Sequence, residues 1–250
     1  MVIEHARAAV VVALGVFAVL GAIGTQAQLA PDYGPLLAAP DRSDADRQAD
    51  KRRDPTPFLA FAGLHPGMKV LDMGAGGGYS AELAARAVTP GGVVYAQNPP
   101  DLPEKPKATF EARLKTPAMN DVLAEIRPFD DPLPSDVRDL DLITFLFFYH
   151  DTTYMNVDRA EMDRKLFAAL KPGGFLLIAD HSALSGQGTS VGKTLHRIEE
   201  GALQKEVEAA GFQLVAEGNF WRDPADTHDF PSYRPNMPVD NFVLKFQKPM

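Results

Sequence analysis

The stretch VLDMGAGGGYS, Val70 to Ser80, decides how this chain is read. An apolar run ends at Asp72, and glycines follow at Gly74, Gly76, Gly77 and Gly78. A strand that feeds a glycine-rich turn into a helix points backbone N–H groups at a ligand, and glycine lets the ligand approach the backbone. A plain strand-to-helix turn needs one glycine, not a cluster. Spacing then separates the ligand classes. In the dinucleotide pattern G-x-G-x-x-G, counted from Gly74 and Gly76, the third glycine would fall at Tyr79. The chain instead reads D-x-G-x-G-x-G through Asp72, Gly74, Gly76 and Gly78. A second glycine-rich stretch, GQGTSVGKT, fails as a phosphate loop, because Gln187 stands where that motif needs glycine.

Outward from the loop, a β/α rhythm sets the fold class. KVLDMGA reads as a buried strand and SAELAARAV as an amphipathic helix. GGVVYAQN is a second strand, a third is expected near IRPFDD, and LDLITFLFFYH is a strongly apolar fourth. A helix is expected from Asp158 to Leu170, ended by KPGG, before a fifth strand FLLIAD. TLHRIEEGALQKEVEAAG reads as one helix stopped by Gly211, and FQLVAEGNFW and NFVLKFQ close the chain as an antiparallel pair. Continuous apolar strands alternating with helices predict an α/β, doubly wound, Rossmann-like sheet of seven strands, mostly parallel.

Taken in order, these segments resemble the class I S-adenosylmethionine (SAM)-dependent methyltransferases. VLDMGAGGGYS resembles the family's first motif. GGVVYAQN resembles its second strand, LDLITFLFFYHD its fourth, and LKPGGFLLIADH its fifth with the loop before it. RRDPTPFLAFAGLHPG, leading into the loop, further resembles uncharacterised bacterial methyltransferases. The resemblance implies SAM as cofactor, with Gly74, Ala75, Gly76 and Gly78 against it and Asp72 either supporting the loop or bonding the ligand's amino group through water. It also implies an acid at the end of the second strand to bind ribose hydroxyls. Here Gln97 and Asn98 occupy that position, and an amide accepts more weakly than a carboxylate. An adenine contact falls by the same resemblance on Asp131 or its neighbour Asp130.

Candidates for chemistry cluster at the carboxyl ends of strands, where open α/β sheets bind ligands. Tyr149, His150 and Asp151 end the fourth strand, and His150 is read as a general base. His181 follows the fifth strand on the same edge. Together with His150 and Asp151 it forms an alternative metal-ligating set, although the spacing matches no metal motif and no metal is expected. His196 is assigned a structural role. The long connection before the last strand offers Asp226, His228, Asp229 and Tyr233 to an acceptor site.

Composition narrows the partners. The 250 residues carry a net charge of −8 and no long basic run, which disfavours nucleic acid and leaves a small-molecule acceptor. There is no Cys, so disulfides, thiolate metal sites and cysteine nucleophiles are excluded. Residues 1–27 combine Arg7, an uncharged apolar run from Ala8 to about Gly24, and small residues at Thr25 and Ala27. They read as a signal peptide for periplasmic or secreted export, or as a membrane anchor if uncleaved. Residues 28–57 read as a linker or N-terminal arm with an exposed helix around Ser43 to Arg53. Residues 58–250 form the packed domain. The leading function is methyl transfer from SAM. The alternatives are an exported non-catalytic ligand-binding protein and a metal-assisted hydrolase.

Overall fold

The computed structural model describes Met1 and residues 31–234 and 236–250. The expected leader lies outside the described residues, apart from Met1. Along the described chain run α1 (Gly34–Leu37), α2 (Asp44–Arg53), α3 (Pro55–Ala62), β1 (Lys69–Met73), α4 (Tyr79–Val88), β2 (Val93–Asn98) and α5 (Glu104–Arg113). After a short turn of 3-10 helix come β3 (Val122–Ile126), β4 (Leu140–Leu146), α6 (Tyr149–Thr152), α7 (Arg159–Ala169) and β5 (Leu170–His181). The chain ends with α8 (Gly192–Leu195), α9 (Glu200–Ala209), β6 (Gln213–Gly218) and β7 (Asn241–Gln247).

The seven strands form one sheet in the order β3-β2-β1-β4-β5-β7-β6. β1 pairs parallel to both β2 and β4, so the order reverses at β1, and the loop after it opens at the switch point. β7 runs antiparallel between β5 and β6. Alternate side chains serve opposite faces. Val70 and Val243 enter the core under α3 and α4, and Leu71, Met73, Phe242 and Leu244 enter the core under α7 and α9.

Three expectations change. The third strand ends at Ile126, where the sequence reading began it. It is an edge strand with Leu123, Ala124 and Ile126 exposed, so it lacks the buried apolar run that marks its neighbours. The expected helix from Thr194 to Gly211 is broken. His196 adopts a left-handed conformation (φ 50°), and Ile198 bridges to Ser182. The cause is Arg197, fully buried, which donates to both Asp226 carboxylate oxygens (2.7 and 3.2 Å) and to the carbonyls of Phe230 and Ser182. A charge taken out of water must meet its partners, and the helix yields to that requirement.

The N-terminal arm is packed on the sheet domain rather than linking to it. Ser43 caps α2 by accepting from the Asp46 N–H. On the inner face of α2, Asp46 accepts two bonds from Arg113 of α5 (2.9 and 2.7 Å), and Asp50 accepts from the Tyr79 hydroxyl (2.6 Å) and pairs with Arg42. Tyr33 is buried and donates to the Leu64 carbonyl (2.8 Å). The mixed charges that look like a solvated tract are therefore the arm's docking contacts.

Candidate active site

The glycine loop takes its shape from three left-handed residues, Gly74, Gly76 and Gly78 (φ 65°, 56° and 84°). A Cβ on Gly78 would fall 2.8 Å from the Phe110 ring, so only glycine fits between α4 and α5. A Cβ on Gly76 would meet nothing nearer than its own loop's Gly74 carbonyl at 3.9 Å, which leaves space above that residue. Asp72 is buried beneath the loop and accepts from the hydroxyls of Ser80 (2.6 Å) and Thr144 (2.8 Å). Burial pushes its carboxyl up to about 6, against the pull of those two hydroxyls.

Gln97 and Asn98 hold the loop itself. Both side chains are fully buried. Gly74 N–H donates to Gln97 Oε1 (2.9 Å), and Gly76 N–H donates to Asn98 Oδ1 (2.7 Å). The amide nitrogens donate in turn to the Arg127 carbonyl (2.6 Å) and the Gly76 carbonyl (3.0 Å). Ala75 N–H donates to the Gln97 carbonyl (2.9 Å). The amides thus meet backbone donors and acceptors together, which a carboxylate cannot do. In this arrangement they brace the loop, and the ribose role implied by resemblance is not the one their side chains occupy.

Asp131 is also turned elsewhere. Its carboxylate pairs with Arg127 and with Lys165 of α7 (2.8 Å), and these cations hold its pKa below the usual range. Asp130 accepts from the Asp158 N–H. Tyr149 points into the core under α7 and α9, where its hydroxyl lies 2.9 Å from Asp163 and 3.0 Å from Glu206. This removes it from the expected catalytic set: it is a buried link between two helices.

His150 and Asp151 do converge, but with His196. His150 Nε2 lies 3.2 Å from Asp151 Oδ1 and 3.2 Å from His196 Nδ1, and the last two atoms are 3.1 Å apart. His150 Nδ1 faces Asp180 Oδ1 at 2.6 Å. Burial alone would depress the His150 pKa. The carboxylates of Asp180 and Asp151 overcome it and raise the value to about 9. A proton on His150 is thus held between two carboxylates, which opposes its release and makes His181 the better placed base of the two.

His181 is the neutral imidazole of the site. Asn241 Nδ2 donates to the Val239 carbonyl (3.0 Å), which turns Oδ1 toward His181 Nδ1 at 2.6 Å. Nδ1 must therefore carry the proton, leaving Nε2 as the basic nitrogen. Burial lowers the pKa of His181, and its ring stacks on Phe147 (5.0 Å). His181 lines a cleft of about 640 Å3 with Arg53, Trp221, Tyr233 and Met237. A narrow cavity of about 30 Å3 shares Arg53, Phe147 and Trp221 with this cleft and is also lined by Tyr79 and Ser80 beside the glycine loop. Trp221 lines both cavities, and its Nε1 is buried with no hydrogen-bond partner among the described residues. Arg53 lies over the Tyr79 ring at 5.1 Å. Sequence reading missed Arg53 and Trp221, because nothing local marks a residue 20 or more positions from a loop as its neighbour. It did place His181 on the correct edge.

Comparison with known proteins agrees with this architecture. The family model of protein-L-isoaspartate(D-aspartate) O-methyltransferase matches residues 55–124. A protein-L-isoaspartate O-methyltransferase of Aeropyrum pernix is 53% identical over 55 residues, which are 22% of this chain and 21% of that protein. The chain thus matches about a fifth of that relative's length. A SAM-dependent methyltransferase of Aquifex aeolicus superposes with a TM-score of 0.58 at 18% identity, over 81% of this chain and 96% of that one. SpnF, described as a cyclase, superposes with a TM-score of 0.58 at 18% identity, over 82% and 81% of the two chains. The sheet order is thus that of solved SAM-dependent methyltransferases, and the segment carrying the glycine loop is the part of the chain that matches an O-methyltransferase family model.

Proposed function

We propose that this protein transfers a methyl group from SAM to a small molecule held in the cleft beside His181. The observation that carries this reading is His181, its tautomer set by Asn241, in a cleft that shares Arg53, Phe147 and Trp221 with the small cavity beside Tyr79 and Ser80 of the glycine loop. The residues present fit SAM at the loop: Gly76 has space above it and Asp72 braces the turn. Trp221, which lines both cavities, carries a buried Nε1 donor that is unpaired among the described residues. Bound SAM would supply an electrophilic methyl on a sulfonium. Gly74 to Gly76 would hold it and Arg53 would face its carboxylate end. His181 would take the proton from an O–H or N–H acceptor, with Asn241 holding the required tautomer.

A small molecule is favoured because the cleft has the size of a ligand pocket. The isoaspartyl family match spans residues 55–124 and contains none of the residues that line the cleft, so it speaks for the donor half of the molecule. Export to the periplasm or beyond is part of the proposal and rests on the apolar run and small residues of the first 27 positions.

Titration calorimetry with SAM and with its demethylated product tests the donor site. Binding is expected, and Gly76→Ala should weaken it by intruding on the ligand's space. No heat from well-folded wild-type protein would remove SAM. For the base, His181→Ala should cut turnover about 100- to 10,000-fold while leaving SAM affinity unchanged. Turnover is read as release of demethylated product across an acceptor panel. Unchanged turnover would exclude His181.

A further inference from the structure

We propose that His150, Asp151 and His196 form a site for a divalent transition-metal ion, with Asp180 orienting His150 from behind. The three candidate ligand atoms, His150 Nε2, Asp151 Oδ1 and His196 Nδ1, lie 3.1–3.2 Å from one another. For metal–ligand bonds of about 2.0–2.1 Å, neighbouring ligands stand about 3.0 Å apart in octahedral and about 3.3 Å apart in tetrahedral geometry. The triangle therefore has the dimensions of one face of a coordination sphere.

Proton accounting points the same way. Asp180 is fully buried and accepts from His150 Nδ1, from the His150 N–H and from the His181 N–H. With Nδ1 donating to Asp180, a cation that displaces the Nε2 proton of His150 meets a lone pair aimed toward Asp151 and His196. Asp151 Oδ1 offers lone pairs and accepts from the Tyr154 hydroxyl. A proton can serve one edge of this triangle, whereas a cation serves all three atoms. A histidine that ligates through one nitrogen and donates from the other to a buried carboxylate is the usual second shell of a metal site.

The packing places the third ligand. α6 and α8 meet at Gly192, where a Cβ would fall 2.1 Å from Thr153 Oγ1 and 2.8 Å from the His150 carbonyl. Glycine there, and the left-handed turn at His196 that Arg197 enforces, bring the second imidazole beside the first. The three ligand side chains become progressively more exposed, from His150 (3%) through Asp151 (15%) to His196 (32%). One side of the triangle therefore opens toward Tyr233, whose ring packs edge-on to His196 and lines the cleft. Two imidazoles and one carboxylate select a first-row transition metal over Mg2+ or Ca2+, and the open side leaves positions for water or for an oxygen of the cleft ligand. The site stands independently of methyl transfer in that cleft.

The probe is Co2+ added to full-length protein freed of metal by chelation, followed by calorimetry and by the visible absorption of bound cobalt. One ion per chain is expected, with a spectrum showing nitrogen ligation. His196→Ala, on a partly exposed position, should abolish that spectrum and weaken binding at least about tenfold, while Asp180→Asn should weaken it about 10- to 100-fold. His228→Ala, outside the triangle, should leave binding unchanged. Absence of binding to folded wild-type protein would overturn the proposal. So would cobalt binding that survives both His196→Ala and Asp151→Asn, since it would be adventitious. SAM titration of the same samples keeps this outcome separate from the fate of the methyltransferase reading.

Discussion

The glycine loop and the histidine triangle sit at the carboxyl ends of neighbouring strands, yet they balance their polar groups in opposite ways. In the loop, the N–H groups of Gly74, Ala75 and Gly76 all find acceptors on Gln97 and Asn98, and the two amides return their own protons to backbone carbonyls. In the triangle, three ligand atoms face one another at 3.1–3.2 Å, and a proton on His150 serves one edge and leaves the other two unbridged. A closed network rigidifies a scaffold; an open one calls for a further ion. The loop that looks most like the ligand site is thus internally satisfied, and the less conspicuous cluster is the one that asks for a partner.

Changing the loop's closure should have the largest effect. Gln97→Glu restores the acid that the superfamily pattern implies at this position. Here it would set a buried carboxylate against the Arg127 carbonyl and remove a donor. A loss of about 3–4 kcal/mol is expected in denaturant unfolding, with no gain in SAM affinity. Unchanged stability together with tighter SAM binding would make the loop, and not the triangle, the site that lacks a partner.

Filling the open site should act in the other direction. At about a hundredfold excess over Kd, the metal should stabilise the fold by about 2.7 kcal/mol, seen as a rise in Tm. His196→Ala should remove the shift, whereas Asn98→Ala, though less stable, should keep it. A shift lost equally in both variants would mean that the two regions are not independent.

The smallest effect is expected at Tyr149, which neighbours the triangle in sequence but faces the opposite core. Tyr149→Phe should cost about 1 kcal/mol by removing the hydroxyl shared between Asp163 and Glu206. Turnover and metal affinity should stay as they were. A fall in either would return Tyr149 to the site.

Much of the fold is legible in the sequence, because buried parallel strands are apolar runs and the helices between them end at KPGG or Gly211. The edge strand β3 is not, since its side chains are largely exposed and carry no run. The candidate site is legible only in outline. His150, Asp151 and His181 stand at strand ends, so topology alone brings them to one edge. His196 reads as a helix residue, and only the buried pairing of Arg197 with Asp226, 29 positions away, breaks that helix and swings it in.

The sequence by itself determined the glycine loop, the sheet class and the edge on which chemistry gathers. These follow from local periodicity and from the conformations that glycine permits. The tertiary structure alone decided that Gln97 and Asn98 face the loop, that His150 meets two carboxylates while His181 meets an amide, and that His196 completes a triangle. Each of those depends on which distant donor or carboxylate lies within about 3 Å, and no spacing along the chain encodes that distance.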